Sequence, residues 1–301
     1  MTSVIAPETG HPAQLEEQQG PPRRHRAPKG SERRNWLGGA FGWIWLLIVI
    51  VPIYWIVVTS FKTRSSYFVT NPFLPGKPTL ENYRFVIEAD FASYFVNSVI
   101  VTLGATVPAV VFAFMAAYGI IRGTGGRFLR FTNSIFLLGL AIPLQAVIIP
   151  IYLIIIKLRL YDTLIAIILP SIAFALPLSV LVLANFIRDV PRELFESMRL
   201  DGASEWTMLW RLALPLTRPA LVTVSIYQGL TIWNNFLLPL ILIQSPEQRP
   251  LPLALWNFQG QYGVNVPAIA ASVVLTTLPI IILYAIGRRQ LLSGLTAGFG
   301  K

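Results

Sequence analysis

The sequence of 301 residues contains no cysteine, which excludes disulfide bonds and thiolate metal sites. Histidine is nearly absent as well, since the chain has two, His11 and His25, and both lie near the N-terminus. The body of the protein therefore has no imidazole to act as a general base, a proton relay or a metal ligand. These absences exclude a nucleophile–histidine–carboxylate triad, and we expect no metal site.

A phosphate-binding loop of the pattern Gly-x-x-x-x-Gly-Lys-Ser/Thr is also missing. The glycine-rich run Gly123–Gly126 lacks the lysine, and we interpret it as a turn. We therefore predict that the chain is not an enzyme, that it does not hydrolyse ATP by itself, and that it binds no cofactor of its own.

Charged residues make up only 13% of the chain, whereas a typical soluble domain has about 25%. Hydrophobic residues make up 54%, and the mean hydropathy is +0.61. One water-soluble core cannot bury this much apolar surface, so lipid must be part of the solvent.

Six charge-free runs are long enough to cross a bilayer, which takes about 20 apolar residues in a helix. They predict an all-α integral membrane protein with six transmembrane helices and a transmembrane domain over residues 36–289. The N-terminal tail, residues 1–35, is rich in Pro, Gly, Gln, Glu and Arg, and we predict that it is disordered. Residues 290–301 form a C-terminal tail. The runs are 35–61, 91–121, 131–156, 163–187, 219–246 and 267–287.

The distribution of Lys and Arg sets the predicted orientation. With both termini inside, 17 of the 24 Lys and Arg residues fall in inner segments. We therefore predict a multi-pass protein of the cell membrane with both termini in the cytoplasm. This topology also accounts for the net charge of +10 without any nucleic acid as a partner.

The centres of the predicted spans contain no Asp, Glu, Lys, Arg or His. A proton-coupled carrier usually needs an ionisable group within the membrane. The polar side chains in these spans can instead hydrogen-bond a neutral solute or join helices to each other, and both interpretations stay open. The candidates for a substrate pathway are Asn97, Gln145, Gln228, Trp233, Asn234 and Asn235.

The longest inner loop, residues 188–218, is predicted to contain two short helices, and we name it the coupling loop. Pro191 suits the start of the first helix, and Gly202 suits a break after it. Ser204 can cap the second helix, which Pro215 is expected to end. The loop has equal numbers of acidic and basic residues. Helices that lie on lipid tend to be basic, so this balance favours docking to a soluble partner.

The coupling loop resembles the EAA loop of binding-protein-dependent ABC importer permeases. That loop reads Glu-Ala-Ala, three residues, Gly, nine residues and Ile-x-Leu-Pro. Glu196, Gly202 and Pro215 stand at the matching positions. Ser197 and Met198 replace the two alanines, and Leu replaces Ile at position 212.

Shorter motifs elsewhere in the chain resemble the carbohydrate branch of these permeases. Asn97-Ser98, Ile142–Ala146, Trp233-Asn234 and Phe258–Gly263 occur in the same order in the maltose-type second permease subunit. The resemblance extends from about Trp36 to the end of the chain. It implies the type I fold of ABC importer permeases, with the coupling loop docked in a cleft of an ATPase subunit. The residues implied in that docking are Glu196, Arg199, Asp201, Gly202, Glu205, Leu212, Leu214 and Pro215.

The resemblance also implies the partners: an ATP-binding subunit dimer that holds ATP and Mg²⁺, a second homologous permease subunit, an extracytoplasmic sugar-binding protein and the lipid bilayer. An outer loop over residues 244–266 would face the sugar-binding protein. The C-terminal tail would reach toward the ATPase pair. The residues implied in these two segments are Trp256, Gln259, Gln261 and Tyr262 in the outer loop and Gly294, Leu295, Thr296 and Gly298 in the tail.

Together these features predict a permease subunit that moves a di- or oligosaccharide into the cytoplasm, driven by ATP hydrolysis on a separate subunit. An importer for a polyol or another small polar solute is an alternative. A phosphate ester would favour Arg or Lys in the pathway, and the span centres have none. A stand-alone secondary carrier or channel is a further alternative, which the structured coupling loop argues against.

Overall fold

The computed structural model describes residues 36–123, 125–255, 259–260 and 263–297. Most of this backbone, 79%, is helical, as the apolar runs predict. By internal contacts the chain divides into two units, residues 1–49 and 50–301, and the boundary falls within the first helix, α1 (Trp36–Ser60). Apart from α1, the elements below belong to the second unit.

Three helical segments are long and apolar enough to cross a bilayer alone. The first is α1. The second contains α2 (Glu81–Val86), a kinked turn (Ile87–Phe91) and α3 (Ala92–Arg122). This segment kinks at Asp90, whose φ of +60° is left-handed. The third is α6 (Leu164–Arg188), which Thr163 caps by accepting a hydrogen bond from the backbone N–H of Ala166.

The third predicted span is not one straight helix. It consists of α4 (Arg127–Gly139) and α5 (Leu144–Lys157), which meet at an angle of 105°. Pro143 lies at the break and has extended backbone angles. Because a proline disfavours the helical conformation of the residue before it, α4 cannot run on into α5. Together the two helices pass the length and hydropathy test as one broken span.

The predicted fifth span is interrupted as well. It contains α9 (Leu214–Trp233) and α10 (Leu237–Leu242). Asn234 and Asn235 lie between them and serve both ends. Asn234 donates its side-chain amide to the Leu230 carbonyl, and Asn235 accepts a hydrogen bond from the backbone N–H of Leu238. The last helix is α12 (Val266–Ala297). The structure thus supports three single spans and one broken span among the described residues, and the fifth and sixth spans stay predictions.

The centre of the bundle is the packing of α3 along α6, with α9 against both. Four alanines at every fourth position of α3 are completely buried. Small residues at this spacing allow two helices to approach closely in a membrane. The four residues are Ala105, Ala109, Ala113 and Ala117.

Residues 243–265 join α10 to α12, and we name them the α10–α12 loop. They contain a 3₁₀ turn (Pro246–Gln248), the short helix α11 (Leu251–Ala254) and two paired strands, β1 (Gln259–Gly260) and β2 (Gly263–Val264). The sequence predicted irregular loop here, so the antiparallel strand pair is a correction. Two-residue strands with glycine carry too little side-chain pattern to be recognised.

Candidate functional site

The first helix of the coupling loop is α7 (Arg192–Leu200), and it follows Pro191 as predicted. Its end is closed by backbone hydrogen bonds, one of which joins the Ala203 N–H to the Met198 carbonyl, five residues earlier, at 2.9 Å. Gly202 makes this closure possible, because its φ of +80° is a conformation that other residues rarely adopt. The predicted glycine break is confirmed.

The second helix, α8 (Glu205–Met208), begins as predicted, since the Ser204 hydroxyl accepts a hydrogen bond from the Thr207 N–H at 3.2 Å. The predicted end at Pro215 is wrong. A π-helical turn (Leu209–Ala213) joins α8 to α9, so the helical path from Glu205 to Trp233 has no gap. The Leu214 N–H bonds to the carbonyl five residues earlier. We infer that this wider turn makes room for the proline ring, which would clash in a regular α-helix.

The coupling loop is fixed to the end of α3 by a cluster that we name the clamp: Tyr118 and Arg122 of α3 with Phe195, Arg199 and Glu205 of the loop. Phe195 is completely buried. Its ring lies 6.3 Å from the Tyr118 ring, and the Arg122 guanidinium carbon lies 4.0 Å from the ring centre. Aromatic and cation–π contacts of this kind give the loop one defined seat on α3.

Glu205 is the polar centre of the clamp. The Tyr118 hydroxyl donates to its Oε2 atom at 2.8 Å, and Arg199 donates to its Oε1 atom. Partial burial would raise the pKa of the Glu205 carboxyl, but these hydrogen bonds and the nearby arginine charges outweigh it, so that this pKa lies below its usual value. Glu205 is therefore an anion at neutral pH.

The opposite face of the coupling loop remains open. Glu196, Asp201 and Gly202 are exposed, and so are the apolar side chains of Leu200 and Trp206, at 89% and 59%. Of the other residues implied in docking, Arg199 and Pro215 are exposed, whereas Leu212 and Leu214 are half-buried. The loop thus combines a buried face on α3 with an exposed face of mixed charge and apolar side chains.

The six pathway candidates do not converge on one site. Gln228 is buried and donates to the Ala175 carbonyl and the Ser179 hydroxyl, both at 3.1 Å, so it joins α9 to α6. Gln145 is exposed near the start of α5. Asn234 and Asn235 serve helix ends, as described above. These contacts fit the helix-packing interpretation of the polar residues better than the pathway interpretation.

Trp233 is the candidate that lines a cavity of substantial size. The cavity, about 210 Å³, lies between α3, α9 and α12. The Trp233 indole N–H is buried and has no hydrogen-bond partner among the described residues, and the same is true of the Thr102 and Thr106 hydroxyls. The sequence analysis missed these two threonines, although their spacing of four residues places them on one face of α3.

At the other end of α3, a second cluster holds the base of the α10–α12 loop, and we name it the mount: Asn97, Ser98 and Asp162. The Asp162 carboxylate accepts hydrogen bonds from the backbone N–H groups of Gln244 and Ser245, each at 2.9 Å, and from the Ser245 hydroxyl. Burial would raise the pKa of Asp162, but these hydrogen bonds and a nearby arginine lower it overall.

The α3 side of the mount also contacts the loop backbone. The Asn97 amide donates to the carbonyls of Glu247, at 2.7 Å, and of Arg249, at 3.1 Å. The buried Ser98 hydroxyl accepts a hydrogen bond from the Leu251 N–H at 2.8 Å. Asn97, a pathway candidate, thus holds a loop. No local pattern reveals this, because the partners lie about 150 residues apart.

Several predicted residues lie outside the described part of the chain or have only their backbone described. Trp256, Gln261, Tyr262 and Gly298 are outside it. Gln259 lies in β1, and the backbone of Gly294, Leu295 and Thr296 lies in the last turns of α12. Their predicted roles stay predictions. Within the described residues, no group of three or more His, Cys, Asp or Glu could hold a metal ion.

A multi-span helical bundle with a structured loop seated on one end of α3 is the arrangement of a membrane permease. Residues 96–294 match the family described as binding-protein-dependent transport system inner membrane component, and the chain belongs to this family. Its members are transport components rather than catalysts.

Relatives extend along almost the whole chain. The ABC transporter permease protein ORF2 of Caldicellulosiruptor sp. strain Rt8B.4 is 39% identical over 86% of this chain and 94% of its own. The diacetylchitobiose uptake system permease protein NgcG of Streptomyces coelicolor is 32% identical over 91% of each chain. Among solved structures, a chain of a bacterial alginate ABC transporter in complex with a pentasaccharide-bound periplasmic protein superposes with a TM-score of 0.64. It is 15% identical over 86% of this chain and 96% of that one, which supports the fold.

Proposed function

We propose that this chain is one permease subunit of an ATP-driven importer that moves a di- or oligosaccharide into the cytoplasm. The observation that carries the proposal is the two-faced coupling loop, with Phe195 and Glu205 seated on α3 and the face around Glu196 and Gly202 open. This open face would dock into an ATP-binding subunit on the cytoplasmic side. ATP and Mg²⁺ would be held by a dimer of that subunit.

The sugar class rests on relatives and on the chemistry of the bundle. NgcG is described as a diacetylchitobiose permease, and another relative, 34% identical, as a trehalose permease of Mycobacterium tuberculosis. The lining of the cavity beside Trp233 is almost entirely apolar and includes the indole ring but no charged residue, which suits a neutral solute rather than an ion. A polyol is also neutral, and it remains the second candidate.

The coupling mechanism that we propose has two states. ATP binding closes the partner subunits, the docked loop follows them, and the clamp carries this displacement into α3. The bundle then opens toward an extracytoplasmic sugar-binding protein, and a second homologous permease completes the pathway. Such coupling requires that ATP and the loaded binding protein favour the same state.

The test is ATP hydrolysis in proteoliposomes that contain the chain with its candidate second permease, ATPase and binding protein. Glu196→Lys reverses a charge on the open face of α7. Its matched control is Glu88→Lys, which reverses an exposed carboxylate (62% exposed) outside the coupling loop. We expect sugar-loaded binding protein to stimulate hydrolysis in the wild type and in the control, and Glu196→Lys to lose this stimulation.

Two results would overturn the proposal. Equal stimulation in Glu196→Lys and in the wild type would show that the open face is not the docking surface. Sugar uptake by the purified chain alone, driven by a gradient without ATP, would make it a secondary carrier. A panel of binding proteins loaded with disaccharides, oligosaccharides and polyols then separates the solute classes.

A further inference from the structure

The coupling loop and the α10–α12 loop are attached to the same helix pair. The clamp holds the coupling loop on the last turns of α3, at Tyr118 and Arg122. The mount holds the α10–α12 loop on the first turns of α3, at Asn97 and Ser98. Ser98 and Tyr118 are separated by about 30 Å along α3, at a rise of about 1.5 Å per residue.

The α6 helix repeats this arrangement. Asp162 lies two residues before α6 begins, and the coupling loop starts where α6 ends. The backbone N–H of Asp162 also bonds to the Leu242 carbonyl at the end of α10, at 3.0 Å. Since α3 and α6 pack along the row of buried alanines, the two helices are expected to move as one body.

The mount acts on loop backbone. Asn97, Ser98 and Asp162 bind N–H and carbonyl groups of residues 244–251, and Asp162 also accepts a hydrogen bond from the Ser245 hydroxyl and lies near the Arg249 charge. A charged acceptor that binds two successive N–H groups fixes their orientation as well as their position. The base of the α10–α12 loop is therefore oriented by α3 and α6, whatever side chains the loop carries further on.

We propose that Asn97, Ser98 and Asp162 are positioning residues that make the base of the α10–α12 loop move together with the coupling loop. The displacement that ATP produces at one end of α3 and α6 is thereby delivered to the loop that faces the sugar-binding protein. This inference rests on the proposed function. It predicts that substitutions in the mount leave ATP hydrolysis intact but lower the amount of sugar imported per ATP hydrolysed, because the loop no longer follows the helices.

The first experiment measures sugar imported per ATP hydrolysed in the reconstituted complex. We expect the double variant Asp162→Ala with Asn97→Ala to assemble and keep its basal hydrolysis, with at least a threefold fall in this ratio. Asp162→Asn keeps an acceptor oxygen for the two N–H groups, and we expect it to recover most of the ratio. The matched control is Glu88→Gln, an exposed carboxylate whose partner is the exposed Arg84.

The second experiment measures the motion directly. Because the chain has no cysteine, two introduced cysteines are unique labelling sites. Spin labels at Ser93→Cys on α3 and Glu247→Cys on the loop, both at exposed positions, report the distance across the mount. We expect the same narrow distance distribution with and without ATP in the wild-type background, and a broad one in the Asp162→Ala, Asn97→Ala background.

The outcomes separate this inference from the proposed function. If loaded binding protein does not stimulate the wild type, the proposed function fails. If the wild type is stimulated but the double variant keeps the full ratio, the positioning role is wrong. A label distance that shifts between ATP states in the wild-type background also overturns it, because the loop base would then move independently of α3.

Discussion

The clamp and the mount do similar work at opposite ends of α3 with different chemistry. The clamp holds the coupling loop through the loop's own side chains, above all the Phe195 ring and the Glu205 carboxylate. The mount holds the α10–α12 loop mainly through backbone groups, with the side chains supplied by the bundle. The base of the α10–α12 loop is therefore fixed partly through its backbone and partly through buried side chains such as Leu251, whereas the coupling loop is held by the side chains of its buried face.

Phe195→Ala would break the clamp most severely. Removing a completely buried aromatic side chain typically costs about 3–5 kcal/mol, and here it also removes the surface under the Arg122 guanidinium. We expect a large fall in the thermal unfolding midpoint of the purified chain alone in detergent and, in the complex, loss of ATP-coupled uptake. Leu200→Ala on the same helix is the control for the midpoint of the chain alone, in which Leu200 is 89% exposed and its truncation should change stability by less than about 0.5 kcal/mol. A midpoint equal to that of the control would show that the clamp does not seat the loop.

Gly202→Ala tests the turn between α7 and α8, which sets the relative positions of the clamp residues Phe195 and Glu205. A residue with a side chain in the left-handed conformation costs roughly 1–2 kcal/mol, and the φ of Gly202 is +80°. Gly119→Ala is the matched control, since that glycine lies within α3 with no atom near its added Cβ. Its effect should be a gain of up to about 1 kcal/mol. Unfolding of both variants in detergent gives the comparison, and equal shifts would contradict the strained turn.

Acid should loosen both clusters. The pKa values of Glu205 and Asp162 are lowered in the folded protein, so each carboxylate adds stability above about pH 4 and loses it as the pH falls through its folded pKa. Spin labels at Leu200→Cys and Glu247→Cys should gain mobility in that range. We expect Glu205→Gln to abolish the acid response of the first label alone, and Asp162→Asn that of the second alone. A response common to both labels would indicate global unfolding instead.

Added salt should weaken the clamp slightly more than the mount, and this is the smallest effect that we predict. The Arg199–Glu205 pair is about half exposed, and an exposed pair contributes up to about 1 kcal/mol. At about 1 M salt the screening length falls to roughly 3 Å, so Arg199→Gln and the wild type should unfold alike there and differ slightly at low salt. The mount has short hydrogen bonds to backbone groups and should respond less. A salt-independent difference for Arg199→Gln would show that packing, rather than charge, explains the role of Arg199.

The sequence alone predicted the features that local pattern determines. Apolar runs predicted the long helices, and Gly202 and Ser204 predicted the turn and the cap in the coupling loop. The sequence did not predict features that depend on contacts between distant residues or on a local change of helix geometry. A proline usually ends a helix, and here the wide turn at Leu209–Ala213, just before Pro215, accommodates the proline ring. From the sequence, Asn97 is a polar residue within a predicted span, yet its hydrogen-bond partners lie in the α10–α12 loop. A span with Pro143 near its centre is compatible with a bend or a break, and the sequence does not distinguish them.

The helical path from Glu205 to Trp233 fixes the distance between its two ends along the chain, but it does not fix the angle at which its two halves meet. A helix resists compression as well as tension, so the docking surface and the middle of the bundle keep a constant separation along this path. Between Leu209 and Pro219, however, a widened turn and two prolines remove regular hydrogen bonds and make bending easier. The segment can therefore transmit a displacement along its axis and still bend. In the proposed transport cycle it would transmit force in both directions while the docked end tilts to follow the ATP-binding subunit.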